Sequence, residues 1–487
     1  MNELAKELGI MKMLKEVDAS KIDVDENMLK KHEMKQGAEL FRLYLDTSES
    51  ITTYAEDDIL GDFFPKSDDE VKDELGQKAP MKVVSYKYLQ FARFYLFVRD
   101  QFLLNDKAGL DYYMSSRIRH GTIVNQLRHH LQELKLTTRK NDDGRYDLDT
   151  YWASDVLGLT GPEYVRCQEA FLRFTNSIDI IINRLKNERV QIKTDEFNKE
   201  KDACFDYSRK QMAKRITCLY DLRIDDYDTC VDAIFNDMWD RAEECFATMK
   251  SILYEADIEI KQALEKLRAD IHEIINDDNN GLSVFNDTLT SCQTFLHEDI
   301  NAIAGWFQRK QTSGYDFTLQ QLVDASIEAV NKINTVQLKC DQNIVSYSLL
   351  SSRYLNVLYD LFYNMFTNVV EHAKIKNGKT DCVLTAKEDG DMMKITISNT
   401  VAKNEIETAK KRIEEYEYFR AHRDQSEKSS SSRTEGKSGV YKIDTIVYYQ
   451  LKAEGNAYSP CLESNEYIVS VSLNLKKLRV KNENIAN

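Results

Sequence analysis

Four polar residues recur at four-residue intervals along one stretch of the sequence, at Asp360, Asn364, Asn368 and His372. Residues four apart lie on the same face of an α-helix, so these side chains should form a polar stripe. Asparagine is a mediocre helix former, and a buried carboxamide needs hydrogen-bond partners. The stripe therefore predicts a bound ligand or a polar network. Large apolar residues repeat at helical spacing on another face of the same stretch: Leu358, Phe362, Met365 and Val369.

The segments around this helix follow the order of an α/β domain. The stretch at 317–322 and the helix after it come before the stripe. After the stripe, residues 380–387 and 392–399 alternate like strands and are joined by a turn signal at Gly390. A charged helical stretch at 405–423, a serine-rich run at 426–434, a glycine-containing segment at 436–443 and a closing strand at 466–473 complete the series.

This series resembles the GHKL superfamily, which includes DNA gyrase, the heat-shock chaperone ATPases, MutL and the sensor histidine kinases. The segment Asn364-x-x-x-Asn368-x-x-Glu371-His372 is similar to the family's N-box. The resemblance implies a Bergerat-type α/β sandwich with a mixed sheet that binds ATP and Mg²⁺. The alternative is an ordinary α/β domain that carries two incidental asparagines.

The resemblance also implies roles for individual residues. Asn368 would coordinate Mg²⁺, and the nucleotide pocket would be lined by Asn364, Asn368, His372, Asn399, Gly436, Ser438 and Gly439. Asn364 stands where gyrase-type members carry a catalytic glutamate, and a carboxamide cannot accept a proton at neutral pH, so rapid hydrolysis is not expected. Histidine kinases also carry asparagine there. Two departures from the family's adenine motif are Asn399 in place of aspartate and Val401 in place of glycine.

A histidine upstream of this domain is a candidate phosphoryl acceptor. His297-Glu298, followed by Asn301, resembles the H-box of histidine kinases, in which the histidine is phosphorylated and the acid assists as a base. Ala302 replaces the family's proline, and the second helix of the usual phosphoacceptor hairpin is missing between His297 and the ATP domain. The alternative is a structural hydrogen bond made by His297 on a packed helix.

Arg117 and His120 are three residues apart, which would place them on one face of a helix. The pairing resembles the dyad of HEPN domains, helical modules common in toxin and defence ribonucleases. In such a site the arginine would stabilise phosphate charge and the histidine would move a proton. The spacing is shorter than the family's, and Ile118 stands where a polar residue is usual. The alternative is a basic helix surface that pairs with acidic side chains.

Composition limits the partners and the compartment. A net charge of −15 argues against general affinity for nucleic acids or membranes. No apolar run is long enough to span a bilayer, and the N-terminal residues do not form a signal peptide, so we expect a cytoplasmic protein. The nine cysteines are scattered without C-x-x-C pairs, which argues against a zinc site and against a disulfide framework.

Between Pro162 and Gly281 the sequence contains neither glycine nor proline, which predicts long helices that form either a bundle or a dimerising stalk. We expect a mostly helical N-terminal region followed by the GHKL-type sandwich. The predicted domains are a helical, possible HEPN-like domain at 1–150, a long-helix bundle or stalk at 151–285, and an ATP-binding domain at 286–487.

The favoured function is ATP binding in which closure of the serine-rich segment over the nucleotide controls the helical N-terminal region, in bacterial defence or stress signalling. Whether ATP is slowly hydrolysed or transferred is left open. The alternatives are a HEPN-like ribonuclease regulated by the ATP domain and a true protein histidine kinase. The expected partners are ATP and a second copy or another protein bound through the helical region. A nucleic-acid partner is expected only if the HEPN interpretation holds.

Overall fold

The computed structural model describes residues 2–18, 21–55, 81–119, 122–138, 146–148, 150–275, 279–309, 316–333, 337–373, 379–421 and 438–480. These residues form two compact units. One unit is assembled from residues 1–21, 115–182 and 254–487, and the other from residues 22–114 and 183–253. The three domains predicted from the sequence stay a prediction.

The α-helices are α1 (Asn2–Asp18), α2 (Glu26–Met28), α3 (Lys35–Asp46), α4 (Tyr86–Leu104), α5 (Leu110–Met114), α6 (Thr122–Glu133), α7 (Gly161–Arg184), α8 (Arg209–Asp221), α9 (Tyr227–Ile274), α10 (Asn280–Trp306), α11 (Leu319–Ile333), α12 (Leu355–Ala373), α13 (Ile406–Ala421) and α14 (Ser438–Thr445). Within the described ranges, single-turn π-helical segments occur at Leu29–Glu33, Ser115–Arg119, Tyr151–Val156, Leu185–Arg189 and Ile446–Gln450. The helical N-terminal region expected from the sequence is thereby confirmed.

The strands are β1 (Ile51–Ala55), β2 (Met81–Ser85), β3 (Ile192–Lys193), β4 (Phe205–Asp206), β5 (Phe317–Thr318), β6 (Gln337–Val345), β7 (Leu349–Leu350), β8 (Lys379–Asp389), β9 (Met392–Thr400), β10 (Ala457–Glu463) and β11 (Glu466–Asn474). Five of these form the C-terminal sheet in the order β10-β11-β9-β8-β6. β6 runs parallel to β8, and the other neighbouring pairs are antiparallel. The predicted mixed sheet is confirmed.

Alternation along the strands explains how this sheet is covered. In β9, Met393, Ile395 and Ile397 are buried, and the intervening residues are more exposed. Alternate residues of β8 and β11 join them in one apolar core with α11 and α12. The two helices pack on each other and lie against the sheet. Apolar residues recur every second residue along the strands and about every fourth residue along the helices, so each element has one apolar face. These faces pack together in a two-layer α/β sandwich.

The turn between β8 and β9 is held by a network around Glu388. Gly390 has a φ of +60°, a left-handed conformation that favours glycine. Glu388 accepts hydrogen bonds from the Ser348 hydroxyl at 2.6 Å and the Tyr347 N–H at 3.0 Å, and it pairs with Arg479 at 2.8 Å. Burial raises the pKa of Glu388, but these donors outweigh burial and hold the pKa at about 2.

The N-terminal helix α1 belongs to the same apolar core as the C-terminal sheet. Met13 and Val17 are buried in that core, and α1 packs on α11. Lys6 lies 3.0 Å from the carboxylate of Asp324 on α11. Residues from the start of the chain therefore help to stabilise the helical layer that covers the sheet.

Helix α10 and the C-terminal half of α9 form an antiparallel pair. Cross-helix contacts join His272 to Asn286, Arg268 to Thr290, and Asp257 to His297. The residue number falls on one helix as it rises on the other, which defines the antiparallel direction. α9 ends at Ile274 and α10 begins at Asn280.

Gly281 allows close packing at the start of α10. A Cβ atom at this position would lie 2.3 Å from the carbonyl oxygen of Val156, which is too close for any other residue. The neighbouring Asn279 caps the helix, because its side-chain oxygen accepts the Gly281 N–H at 2.8 Å. The start of α10 is thereby packed closely against the π-helical segment Tyr151–Val156.

The second compact unit is mainly helical and has an aromatic core. Phe41 and Tyr44 of α3 pack against Phe91 and Phe94 of α4 and against Tyr220 of α8. Burial of these large rings is the main source of stability for such a unit.

Among the described helices of the chain, none combines the length and apolar character needed to cross a bilayer.

Candidate functional site

The predicted polar stripe lies on α12, where its central residues are only partly exposed. Asn364 and Asn368 are half-buried, whereas Phe362 on the other face is completely buried. The Asn364 amide nitrogen donates to the carbonyl oxygen of Asp360 at 2.6 Å. Because the nitrogen is used within the helix, the side-chain oxygen of Asn364 is the atom left to accept a bond from a ligand.

Thr367 adds a third polar group beside the two asparagines. It lies three residues after Asn364 and next to Asn368, and its hydroxyl oxygen is shielded from solvent without a hydrogen-bond partner among the described residues. A shielded hydroxyl without a partner is unfavourable, so a ligand that supplies one would be stabilised here. Sequence reasoning missed Thr367, although its spacing from Asn364 places it near the stripe.

The donor set on α12 suits Mg²⁺. Its atoms are the carboxamide oxygens of Asn364 and Asn368 and the hydroxyl of Thr367, and hard oxygen ligands are those that Mg²⁺ prefers. Mg²⁺ commonly uses one or two protein ligands together with substrate phosphates and water. The residues present therefore fit a nucleotide-bound Mg²⁺ ion, with Asn368 as the protein ligand proposed from the sequence.

Asn399 lies near the end of β9, opposite Tyr467 of β11. It is 7% exposed, and its amide nitrogen donates to the carbonyl of Thr400 at 3.3 Å. Burial raises the pKa of Tyr467 to about 12, so this side chain stays neutral. Val401, which replaces the family's glycine, is buried and donates its N–H to the carbonyl of Asn465 at 2.8 Å. The two residues that depart from the family's adenine motif, Asn399 and Val401, are thus both buried and uncharged.

The glycine-containing segment is only partly described. α14 begins at Ser438, includes Gly439, and packs on α12. Gly436 lies outside the described residues, as do the serine-rich run at 426–434 and the side chains of Ser438 and His372. The predicted pocket residues Ser438 and Gly439 therefore lie at the start of a helix that packs on α12.

α13 and α14 are joined through a buried hydrogen bond. The Tyr416 hydroxyl of α13 donates to the carboxylate of Asp444 on α14 at 2.7 Å, and both side chains are buried. Tyr441 of α14 also contacts the rings of Tyr416 and Phe419. This link fixes the position of α14, the helix that carries the predicted pocket residues Ser438 and Gly439.

Arg117 lies beside the same polar stripe. Its Nε and Nη2 atoms are 2.7 and 2.6 Å from the Oδ2 atom of Asp360, and the side chains are 6% and 18% exposed. Arg117 therefore has an acidic partner one helical turn before Asn364. Its proposed HEPN partner, His120, lies outside the described residues. Pairing of a basic helix surface with acidic side chains was the sequence alternative, and ribonuclease chemistry stays a prediction.

His297 lies on the α9–α10 pair with one ring nitrogen bound to an acid. Its Nδ1 atom is 2.9 Å from the Oδ2 atom of Asp257, and its side chain is 47% exposed. The carboxylate of Asp257 is 6% exposed and also receives Lys261 Nζ at 2.8 Å. Asp257 was not among the predicted residues, because nothing in the local sequence marks an aspartate forty positions upstream as a partner.

The structure also clarifies the helical hairpin. Among the described residues, the next helix after α10 is α11, which covers the C-terminal sheet, so no second hairpin helix follows His297. The antiparallel partner of α10 instead precedes it, as the C-terminal half of α9. His297 therefore lies on the second helix of a pair, whereas the sequence resemblance led us to look for it on the first.

Two family models match the chain. Residues 30–307 match the family described as Y4jQ, and residues 318–471 match the one described as "y4jQ C-terminal putative histidine kinase domain". The first match covers more than half of the chain. The second confirms that the C-terminal part is histidine-kinase-like, as the resemblance to the GHKL superfamily implied.

Two curated proteins are similar to most of this chain. The Detocs histidine-protein kinase DtcA of Enterobacter cloacae (strain JD6301) is 23% identical over 372 residues, which is 74% of this chain and 31% of that protein. The uncharacterized protein y4jQ of Sinorhizobium fredii (strain NBRC 101917 / NGR234) is 21% identical over 336 residues, 66% of this chain and 31% of that protein. The chain thus spans less than a third of the length of either relative.

Solved histidine kinases also match over part of the chain. The Acinetobacter baumannii histidine kinase AdeS is 10% identical, and the match covers 46% of this chain and 97% of that one with a TM-score of 0.23.

Proposed function

This chain belongs to the Y4jQ family and has a histidine-kinase-like C-terminal domain, and we propose that it binds ATP with Mg²⁺ and transfers the γ-phosphoryl group to histidine. The observation that carries this proposal is the His297–Asp257 pair. A half-exposed imidazole with one nitrogen held by a shielded carboxylate is an arrangement suited to a nucleophile. The printed name of the relative DtcA, a histidine-protein kinase, supports the same reaction class.

The nucleotide would lie against α12, with its phosphates near the start of α14. Asn368 would hold Mg²⁺, Asn364 and Thr367 would offer further oxygen atoms, and backbone N–H groups at Ser438 and Gly439 would contact phosphate. Asn399 would contact the base. When bound, Mg²⁺ would neutralise phosphate charge. Because Asn364 replaces the base that activates water, the site favours transfer to a side chain over hydrolysis.

Phosphoryl transfer to His297 would begin from the neutral ring. Asp257 accepts a hydrogen bond from Nδ1–H, which fixes the tautomer and leaves the lone pair on Nε2. Nε2 attacks the γ-phosphorus of ATP, an N–P bond forms, and the bond from γ-phosphorus to the bridging oxygen breaks, so that ADP leaves. The positive charge that develops on the ring is stabilised by the Asp257 carboxylate.

Labelling with γ-phosphate-radiolabelled ATP tests the acceptor. We expect the full chain to gain a label that is lost in acid and kept in alkali, as a phosphoramidate should be. His297→Ala should abolish it, and Asp257→Asn should slow it. His272→Ala is a matched control, because His272 is an exposed histidine on the same helix pair. A label that persists in His297→Ala would contradict the assignment of the acceptor.

Calorimetric titration with Mg·ATP tests the pocket separately. Wild-type protein should bind ATP, and Asn368→Ala should bind it much more weakly, because the metal ligand is lost. Asn368→Asp is a useful second variant, since it restores an oxygen ligand. If the wild type binds ATP and gains no label, phosphotransfer is excluded under these conditions and the nucleotide-gated function is favoured. If it does not bind ATP, the pocket assignment is wrong.

The control of the helical region, which the sequence favoured, has a structural candidate in the Arg117–Asp360 pair. This pair joins the segment Ser115–Arg119 to the helix that carries Asn364 and Asn368. If binding or loss of the nucleotide phosphates moves α12, the position of Arg117 should therefore change as well. Closure of segment 426–434 and a role in defence or stress signalling stay proposals.

A further inference from the structure

We propose that His129, His130 and Glu133 of α6 form a binding site for a divalent transition-metal ion of the Zn²⁺ type. The site is distinct from the proposed Mg²⁺ position on α12. The two imidazoles are half-buried and the carboxylate is exposed. One donor atom from each of the three residues lies within 4.8 Å of the others. No cysteine is involved, so the scattered cysteines that argue against a thiolate zinc site do not bear on this one.

The distances between donor atoms match a shared ion. His130 Nδ1 lies 3.3 Å from Glu133 Oε2, and His129 Nε2 lies 3.8 Å from the same oxygen. Ligands that surround Zn²⁺ tetrahedrally at its usual bond lengths are about 3.3 Å apart. Small side-chain rotations would therefore bring all three atoms onto one ion. A water molecule would take the fourth position, as in sites with three protein ligands.

Residues of α10 hold the His130 ring in the required orientation. Phe295 stacks on it, with ring centroids 4.7 Å apart and planes inclined by 30°. On the other side of the ring, His130 Nε2 lies 4.0 Å from Oδ2 of Asp299. With Nδ1 on the metal, Nε2 carries the proton and can donate it to this carboxylate. Metal-bound histidines usually donate their second N–H to a carboxylate or carbonyl in this way.

The surroundings of Asp299 suit it to accept a hydrogen bond from His130. It is 5% exposed, and its Oδ1 atom accepts a hydrogen bond from the Gln126 side chain. Its Oδ2 atom is shielded from solvent and has no hydrogen-bond partner among the described residues. A shielded carboxylate oxygen without a donor is unfavourable. A metal ion that fixes the His130 tautomer would supply that donor, so Asp299 is a positioning residue of the site.

The ligand types select the ion. Two imidazole nitrogens and one carboxylate suit Zn²⁺, Co²⁺ or Ni²⁺, whereas Mg²⁺ and Ca²⁺ prefer sites made of oxygen atoms. Since all three ligands come from α6 and the supporting side chains come from α10, a bound ion would strengthen the packing of these two helices.

Titration of the full, metal-free chain with Co²⁺, followed by visible absorption, tests the proposal. We expect one tetrahedral Co²⁺ per chain with ligand-field bands in the visible region and without a thiolate charge-transfer band in the near ultraviolet. Zn²⁺ should displace it. Glu133→Gln and His130→Ala should each weaken binding by at least about tenfold, and Asp299→Asn by about 10- to 100-fold. Glu133 is exposed, so the fold should be intact in its variant.

His272→Ala is the matched control and should bind Co²⁺ like the wild type. Absence of bound Co²⁺ would overturn the proposal, and so would binding that survives both His130→Ala and Glu133→Gln. A thiolate band unaffected by these substitutions would show a cysteine site instead. Unchanged affinity in Asp299→Asn would overturn the positioning role. None of these results depends on ATP binding or on labelling of His297.

Discussion

The pair formed by Arg117 and Asp360 gives the sharpest test of how α12 is held in place. We would replace Arg117 by Met, which keeps most of the apolar stem, and Asp360 by Asn, which keeps the shape. Both single variants and the double variant complete a thermodynamic cycle. The cycle is needed because Arg117 also lies near the carbonyl of Lys21, at 3.5 Å, so a single substitution removes more than one interaction.

The expected magnitude follows from burial. Exposed ion pairs contribute about 0–1 kcal/mol, whereas removing one partner of a fully buried pair costs about 3–5 kcal/mol. With side chains 6% and 18% exposed, Arg117 and Asp360 lie between these limits but nearer the second. We therefore expect each single substitution to lower the unfolding free energy by about 2–3 kcal/mol and the coupling energy to be about 2 kcal/mol.

Urea titration combined with hydrogen exchange of peptides from α12 is the appropriate assay. A chain with two compact units need not unfold in one step, so a signal local to α12 is required. The Glu265–Arg268 pair on α9 is a matched control, because it is more exposed and should show a coupling energy below about 0.5 kcal/mol. A similarly small value for Arg117 and Asp360 would refute the reasoning.

The same variants separate the two interpretations of Arg117. If the pair positions α12, both Arg117→Met and Asp360→Asn should weaken Mg·ATP binding, because each removes the ion pair that lies one helical turn before Asn364. A HEPN-like ribonuclease would behave differently: Arg117→Met would abolish RNA cleavage, and Asp360→Asn would retain it. Cleavage lost only in the arginine variant, with ATP binding intact, would support the nuclease alternative.

Three further substitutions test the C-terminal domain. Because the pKa of Glu388 is held at about 2, its stabilising effect is complete above its ordinary value of 4.5 and disappears as the pH falls toward 2. Glu388→Gln should lower stability by about 1–2 kcal/mol at neutral pH and much less near pH 2, in urea titrations at both pH values; an equal loss at both would contradict this. Tyr416→Phe removes a donor to buried Asp444 and should lower the free energy of unfolding by about 1–2 kcal/mol, measured by thermal unfolding. An unchanged free energy of unfolding would show that this hydrogen bond is absent. Phe362→Ala empties a completely buried position and should cost about 3–5 kcal/mol in urea titration; a loss below about 1 kcal/mol would contradict the packing described.

The elements of the C-terminal domain were predictable because their signals are local. The alternation in β8 and β9 and the turn at Gly390 identify the hairpin, and the apolar face of α12 identifies the helix. The absence of glycine and proline after Pro162 indicates long helices, which α7 and α9 confirm. Each of these features depends on residues within a few positions of one another.

The contacts that complete the candidate site were not predictable in the same way. Arg117 and Asp360 are 243 positions apart, and Asp257 and His297 are 40 apart. Charged residues make up 30% of the chain, so every arginine or histidine has many acidic candidates, and one sequence cannot select among them. Packing of α1 on α11 is another case, since it joins Asn2–Asp18 to Leu319–Ile333, which are far apart in sequence.

The proposed acceptor and the residues that support the proposed metal site lie on different faces of the same helix, α10. Phe295 and Asp299 are four residues apart and share the face that meets α6. His297 lies between them in sequence, rotated by about 200° around the helix axis, and faces α9. An ion on α6 would therefore not touch the ring of His297. It would, however, hold the helix from which His297 projects, so metal binding and phosphoryl transfer would be connected through the position of one rigid element.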